Sequence, residues 1–308
     1  MALMPAATAL ANLDLRHLRY FVAVAEERHF SRAAERLGIA QPPLSQQIQR
    51  LEEVIGERLF ERRPHVRLTP AGEVLLNATR RVFDQLQHDV EQVRRTGAGF
   101  AGTLNLGFPA SALVTWFPHA LRDFRESYPE VDVRLSELSS SAQILALRTE
   151  TIDIGLIRGT VAESELSSFT VLEEPFIAVI PHGHRLSGKS VVDLAELADD
   201  PFILFPRSVA PALHDEVREL FRRAGIEPFV AMEAQEWLTI IGLVETGIGV
   251  SVAPASFQKL RWGKVAYVPL SDVAQVTKIS ACTALTPTPT AERMLDVFKT
   301  YAASKARK

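Results

Sequence analysis

Between residues 41 and 67 the chain concentrates side chains suited to reading a nucleic-acid groove: Gln41, Ser45, Gln46, Gln49 and Arg50, then Arg62, Arg63 and Arg67. Carboxamides pair with adenine edges, hydroxyls with bases or phosphates, and guanidinium forks with guanine or phosphate oxygens. Ser31 and Arg32 lie just upstream, and Pro42 and Pro43 open the segment that carries the glutamines. Other reactive residue types do not assemble into a site. His182 and His184, in PHGHRL, have no nearby Cys and no carboxylate at ligand spacing, so they read as a turn and no metal is expected. The one cysteine, Cys282, sits in an apolar run and reads as a small buried hydrophobe. No GxSxG elbow, GxGxxG or Walker loop appears, so no catalytic residue and no nucleotide or other cofactor is expected.

The elements that must hold the glutamine face follow from spacing. Residues 30–56, FSRAAERLGIAQPPLSQQIQRLEEVIG, predict two helices joined by a tight turn at Gly38. Ser31 is expected to cap the first helix. Ala33 and Ala34 permit close helix approach, while Leu37 and Ile39 add apolar contacts. Pro42 or Pro43 fits the first turn of the second helix, and Leu44, Ile48, Leu51 and Ile55 form its buried stripe. Downstream, ERLFERRPHVRLTPAG places Leu59 and Phe60 as anchors of a short basic hairpin, a wing able to reach phosphates or the minor groove. The bland alternative, a solvated helix hairpin, does not require three arginines in the turn that follows. From Ala71 to Arg95 apolar residues recur at three and four, predicting one helix of about 37 Å, longer than a seventy-residue domain can cover. It is expected to pair with a copy of itself. TGAGFAG, residues 96–102, reads as a hinge.

Charge is divided unevenly. Residues 1–70 carry ten Arg, no Lys and eight acidic residues, whereas everything after residue 95 carries 20 basic and 25 acidic residues. A basic head on an acidic body suits a protein that places one end on a polyanion. A single Cys excludes an internal disulfide and favours a reducing, cytoplasmic compartment. Residues 1–12 lack the basic start of a secretory signal and read as an extension, and no apolar run reaches membrane-spanning length.

Beyond residue 102 short apolar runs at 103–108, 131–136, 152–157, 176–180, 202–205, 249–252, 264–269 and 277–283 alternate with amphipathic helices. That alternation predicts an α/β fold with largely parallel sheets. The closing TPTPT punctuates the start of a final helix, and KARK reads as a solvated tail.

The opening helix LRHLRYFVAVAEERHFSRAAERLG, the segment AQPPLSQQIQRLEEVIGERLFER and LTPAG at the head of a long helix, in that order and spacing, resemble the LysR-type transcriptional regulators. QPPLS, with PAS at 254–256, is closest to the branch that controls bacterial breakdown of aromatic acids. One departure alters the expected readout: Gln46 follows Ser45 where many members carry Arg, which sets an adenine contact beside the family's guanine contact.

The resemblance implies an all-α winged helix-turn-helix domain over 13–70, a linker and dimerisation helix over 71–95, a hinge over 96–102, and an α/β two-lobed effector-binding domain over 103–308, similar to periplasmic solute-binding proteins. Lobe one is expected at 103–173 plus 269–308, and lobe two at 174–268. Implied partners are double-stranded DNA carrying an interrupted inverted repeat, with half-sites roughly 34 Å apart, a second copy of the chain in a dimer or tetramer, RNA polymerase, and a small organic-acid effector, aromatic or muconate-like. Ser111 with Ala112, and Ser139 with Ser140 and Ser141, stand at strand-to-helix junctions where hydroxyls and backbone N–H groups cradle a carboxylate, although plain capping is the commoner use of such serines. Phe205, Pro206 and Arg207 are expected to give the facing wall an apolar surface with one cation at its edge, and Arg158 is expected to pair across the cleft with Glu236. Two other readings remain open here: a regulator that ignores ligands, and a binding protein or enzyme whose N-terminal helices serve only oligomerisation.

Overall fold

The computed structural model describes residues 13–159, 165–271 and 274–305, so the expected extension over 1–12 and most of the KARK tail lie outside the described residues. The chain divides into two compact units, one ending at Val93 and the other beginning at Arg94.

The first unit opens with α1 (Leu15–Glu27), capped by Asp14, whose carboxylate accepts from the Arg16 N–H at 2.7 Å. The next helix, α2 (Phe30–Leu37), begins one residue before the expected cap. His29 takes that role, its Nδ1 accepting from the Ser31 N–H at 3.2 Å, which leaves Ser31 inside the first turn with its side chain exposed. Gly38 adopts φ of +68°, a left-handed conformation that turns the chain toward α3 (Gln41–Ile55). Pro42 and Pro43 occupy the first turn of α3, where a missing N–H costs nothing. Leu44, Ile48 and Leu51 are fully buried and pack with Phe21, Val24 and Leu59, whereas Ile55, expected in the same stripe, is exposed beside the C-terminal Gly56.

A two-stranded hairpin follows, with β1 (Phe60–Glu61) antiparallel to β2 (Arg67–Leu68). Thr69 then opens α4 (Pro70–Gly97): its hydroxyl donates to the Arg58 carbonyl at 2.6 Å and accepts from the Gly72 N–H at 3.0 Å. The Pro-Ala-Gly wording that follows Thr69 has a packing cause. A Cβ on Gly72 would sit 2.2 Å from the Leu59 carbonyl oxygen, and backbone cannot move aside as a side chain tip can. Gly72→Ala should therefore lower the stability of this unit by about 1–3 kcal/mol, read as an earlier urea transition in the far-ultraviolet circular dichroism of the full chain. Wild-type behaviour would show that the hairpin yields.

At 28 residues α4 is about 42 Å long. Ala71, Leu75, Leu76 and Phe83 pack on the core of the first unit, while Val82, Leu86, Val90 and Val93, which continue the same helix face, are exposed, as is Val74.

The second unit is built on a seven-stranded sheet ordered β10-β6-β11-β5-β3-β4, with β9 added to β6. Here β3 is Ala101–Phe108, β4 Glu130–Glu137, β5 Ile154–Arg158, β6 Leu166–Pro181, β9 Ser251–Pro254, β10 Val265–Pro269 and β11 Val276–Ala284. β3 runs parallel to β4 and β5, but every other pairing is antiparallel, so the sheet is mixed where alternation alone predicts it largely parallel. The reason is β6. Its 16 residues pair with β11 over the first part and with β10 and β9 over the second, so one strand serves two cores.

Around β6 the interior separates into two clusters. Lobe one buries Leu104, Phe117, Phe124, Leu156, Val171 and Phe298, and lobe two buries Phe176, Val179, Phe202, Phe221, Ile241 and Val252. The chain passes from one to the other between Val171 and Phe176 and returns between Leu270 and Ile279. Lobe two holds a small parallel pair, β7 (Phe202–Leu204) and β8 (Val230–Glu233), the latter without a counterpart in the expected strands. Lobe one carries α5 (Phe117–Ser127), α6 (Ser140–Arg148) and the closing α9 (Pro289–Lys305), and lobe two carries α7 (Pro211–Arg223) and α8 (Trp237–Glu245). Between the end of α4 at Gly97 and the start of β3 at Ala101 only three residues are neither helix nor strand.

Candidate functional site

In the first unit, α3 presents Gln41, Pro42, Pro43, Gln46, Gln49 and Arg50 to solvent, with Ser45 half-buried. This is the expected polar face, and its apolar counterpart holds the helix against α1 and α2. Gln47, absent from the expected face, turns inward, and its Oε1 lies 2.8 Å from His17 Nε2. The arginines divide by what they touch. Arg32 donates to the Glu27 carbonyl at 2.6 Å. Arg62 pairs with Glu52 at 3.2 Å and lies over the Phe30 ring, 5.3 Å from its centroid. Arg50, Arg63 and Arg67 are exposed and have no ion-pair partner among the described residues.

Glu52 is a positioning residue that sequence reasoning missed. Its Oε1 accepts from the N–H groups of Leu59 and Phe60 at 2.9 and 3.2 Å while Oε2 takes Arg62, so one carboxylate joins α3 to the hairpin. Four residues from Ile48 and one from Leu51, its place on the inner edge of α3 was the available signal.

In the second unit the serines stand where strands of lobe one end. Ser111 lies in a 3-10 turn (Ala110–Val114) directly after β3. Ser139 caps α6, its hydroxyl accepting from the Ala142 N–H at 3.2 Å, and Ser140 is the buried first residue of that helix. Arg158, the last residue of β5 and only 2% exposed, ties these together. Its Nε donates to Ser111 Oγ at 3.1 Å and its backbone N–H to Ser140 Oγ at 3.3 Å. Its Nη1 donates to Glu174 Oε1 at 3.0 Å. Glu174 continues the chain into lobe two, accepting from the Ser256 N–H at 2.6 Å and the Ser256 hydroxyl at 3.1 Å.

The ion pair expected between Arg158 and Glu236 is therefore replaced by Arg158 with Glu174. Glu174 sits on the inward face of β6, two residues before buried Phe176, whereas Glu236 is an exposed N-cap of α8 and interacts with another carboxylate, Glu137. Burial first, and the charge of Glu137 second, raise the Glu236 carboxyl above its usual range. Burial also pulls the Arg158 guanidinium below its ordinary value against the opposing pull of Glu174, and a guanidinium nonetheless keeps its charge.

A cavity of about 170 Å³ lies between the lobes, lined among others by Ser111, Ser139, Ser140, Arg158, Phe205 and Glu236. It also takes in Glu137, Leu213, Gln235 and Trp237, which sequence reasoning did not single out. Trp237 packs between Phe205 and Phe257, with ring centroids 5.5 and 4.9 Å away, making the apolar wall. Three expected residues do not line the cavity. Ala112 is buried in the core of lobe one, and Arg207, after Pro206, turns to α7, where it forms two 3.0 Å bonds with Asp215. The expected cation at the edge is thus occupied elsewhere. Ser141 instead bridges the lobes, donating to the Ser208 carbonyl at 3.0 Å. A larger groove, about 980 Å³, runs along lobe one between α5 and β4, but its charged side chains face open solvent and no buried polar group converges on it.

Behind the cleft, Glu216 on α7 is half-buried, with one oxygen lacking a partner among the described residues. Burial raises its carboxyl, partly offset by Thr277 and then by the charges of Arg158 and Lys278. A raised folded value means that its favourable protonated state is lost as pH rises through that value. Glu216→Gln should therefore be more stable than wild type at neutral pH and lose the advantage below the ordinary carboxylate range, as measured by urea midpoints across pH. A constant difference at all pH values would contradict the assignment.

Two family models cover nearly all of the chain: a bacterial regulatory helix-turn-helix of the lysR family over residues 15–73, and the LysR substrate binding domain over residues 97–303. The chain belongs to the LysR family of transcriptional regulators. Its relatives are named as regulators and not as enzymes. YnfL of Escherichia coli K12, an HTH-type transcriptional regulator, is 42% identical over 270 residues, covering 87% of this chain and 91% of YnfL. BenM of Acinetobacter baylyi is 35% identical over 271 residues, 87% of this chain and 88% of BenM. The structure of full-length CbnR complexed with its target DNA aligns with a TM-score of 0.77 at 27% identity, over 94% of this chain and 100% of that one. The BenM effector-binding domain with its effector benzoate aligns at 0.60 and 25% identity, over 67% of this chain and 95% of that domain. This LysR-type regulator is therefore a DNA-binding protein with a helix-turn-helix head and a two-lobed effector-binding domain. Among the described residues no helix is long and apolar enough to cross a membrane, and no group of three or more His, Cys, Asp or Glu is placed to hold a metal ion.

Proposed function

We propose that this regulator works in the cytoplasm as a symmetric oligomer, and that a small organic acid bound between the lobes changes how its heads sit on an interrupted inverted repeat. The observation that carries the reading is the cavity itself, where Ser111, Ser140 and buried Arg158 converge opposite an aromatic wall. At about 170 Å³ it suits one compact molecule, well below the roughly 300–1,000 Å³ of drug-sized sites. In the head, Gln46 and Gln49 are the base readers, with Gln41, Ser45, Pro42 and Pro43 beside them. Arg50, Arg63 and Arg67 contact phosphates, and Ser31, Arg32 and Arg62 support that surface. The exposed stripe Val82, Leu86, Val90 and Val93 on α4 supports pairing of residues 71–95 with a second copy. Residues 13–70 then form the head and 103–308 the sensor, and the hinge expected over 96–102 narrows to the three residues between the end of α4 and the start of β3. By family analogy the oligomer acts through RNA polymerase.

Calorimetry of the full-length protein against compact carboxylic acids, aliphatic, aromatic and muconate-like, tests the reading. At least one should bind, and a ligand at a hundredfold its Kd should stabilise the second unit by about 2.7 kcal/mol. Ala110→Trp, which fills the cavity, should abolish binding. Binding that survives that substitution, or none by any carboxylic acid, amino acids included, would refute the assignment.

A further inference from the structure

We propose that the cleft is built for a zwitterion: the effector is a compact apolar amino acid, its carboxylate held by the serines and Arg158 and its ammonium by Glu137 and Glu236. This rests on the reading of the cleft as the effector site and specifies what that site selects. The charges decide it. Arg158 is neutralised by Glu174 at 3.0 Å, Arg207 is held by Asp215, and no Lys lines the cavity. Glu137 from the end of β4 and Glu236 from the start of α8 both line it, one from each lobe. Neither has an ion-pair partner among the described residues.

A plain carboxylic acid entering this space would add a third negative charge to an uncompensated pair. An amino acid adds none, and its ammonium placed between the two carboxylates relieves the repulsion from Glu137 that, after burial, raises Glu236. Arg158 also lines the cavity, at 2% exposure, and its Nη2 has no partner among the described residues. A buried donor of that kind calls for an acceptor, and a ligand carboxylate supplies one. The Ser139 and Ser140 hydroxyls and the first turn of α6 stand beside it. Phe205, Leu213 and Trp237 leave room for an apolar side chain and no further charged group.

The test is calorimetry on the full-length regulator at neutral pH with matched pairs that differ only in the amine: valine and 3-methylbutanoate, leucine and 4-methylpentanoate, phenylalanine and 3-phenylpropanoate. We expect at least one amino acid to bind ten times more tightly than its counterpart or better. Glu137→Gln with Glu236→Gln keeps the shape of the mouth and should erase or reverse that preference, with the urea midpoint showing that the variant is folded. Plain acids binding as well as the amino acids would overturn the zwitterion while leaving the cleft as effector site. A preference that persists in the double variant, or in Ala110→Trp, would also overturn it. If no member of either class binds, the cleft reading and this inference fall together.

Discussion

Arg158→Met should destabilise the second unit by about 3–5 kcal/mol, because it leaves the Glu174 carboxylate buried without its cation. With side chains 2% and 8% exposed, the pair is scarcely screened by solvent. The companion expectation is more informative. Arg158→Met combined with Glu174→Leu should recover most of the loss, since replacing a whole buried pair with apolar groups of similar volume is often close to neutral. Recovery will be incomplete, because Glu174 also accepts from the N–H and hydroxyl of Ser256. Tryptophan fluorescence in urea measures this cleanly: the three tryptophans, Trp116, Trp237 and Trp262, all belong to the second unit. A single substitution costing under 1 kcal/mol would mean that water reaches Glu174 and that the pair is not a buried link between lobes.

Removing the two exposed wing arginines, Arg63→Gln with Arg67→Gln, should weaken binding to all duplexes alike and flatten its salt dependence. Each phosphate contact adds about −0.9 to the slope of log affinity against log salt, so two arginines in each of two heads account for between three and four units. Between 50 and 200 mM salt that is roughly a hundredfold. Gln46→Ala is expected to behave differently, losing about 1–3 kcal/mol of discrimination at one base pair with the slope unchanged. Gel-shift titrations at several salt concentrations separate the two. An unchanged slope in the wing variant would place Arg63 and Arg67 away from the phosphates. Arg62 is left out of the variant because its pairing with Glu52 and stacking on Phe30 shape the hairpin, and its loss would mix folding with contact.

The head was legible because helix periodicity reports burial directly: Leu44, Ile48 and Leu51 fix which side of α3 turns outward, and the glutamines follow. What periodicity does not carry is the partner of a polar group. Ser31 looked like a cap, yet α2 starts at Phe30 and the preceding His29 supplies the acceptor. In the second unit the junction serines were readable, since the ends of strands that begin helices are marked by composition. The first part of β6, LSSFTVLEEP, was not, because its serines, glutamates and proline resemble a loop and its strand character comes from pairing with β11, over one hundred residues away. Glu174 was hidden with it. Its contacts, Arg158 and Ser256, are 16 and 82 residues distant, and no local pattern encodes such a triad. Arg207 was misplaced for the same reason: its bidentate partner Asp215, one turn and more along α7, outcompetes the cleft.

The most direct test is footprinting of the purified full-length regulator on the promoter region flanking its own gene, with random duplex as competitor, in the presence and absence of the cleft ligand found by calorimetry. The account predicts protection of two half-sites about one helical turn apart or a multiple of it, a preference over random duplex that survives physiological salt, and a protected boundary that shifts when ligand is added to wild type but not to Ala110→Trp. Equal affinity for promoter and random DNA, with no change on adding ligand, would contradict it.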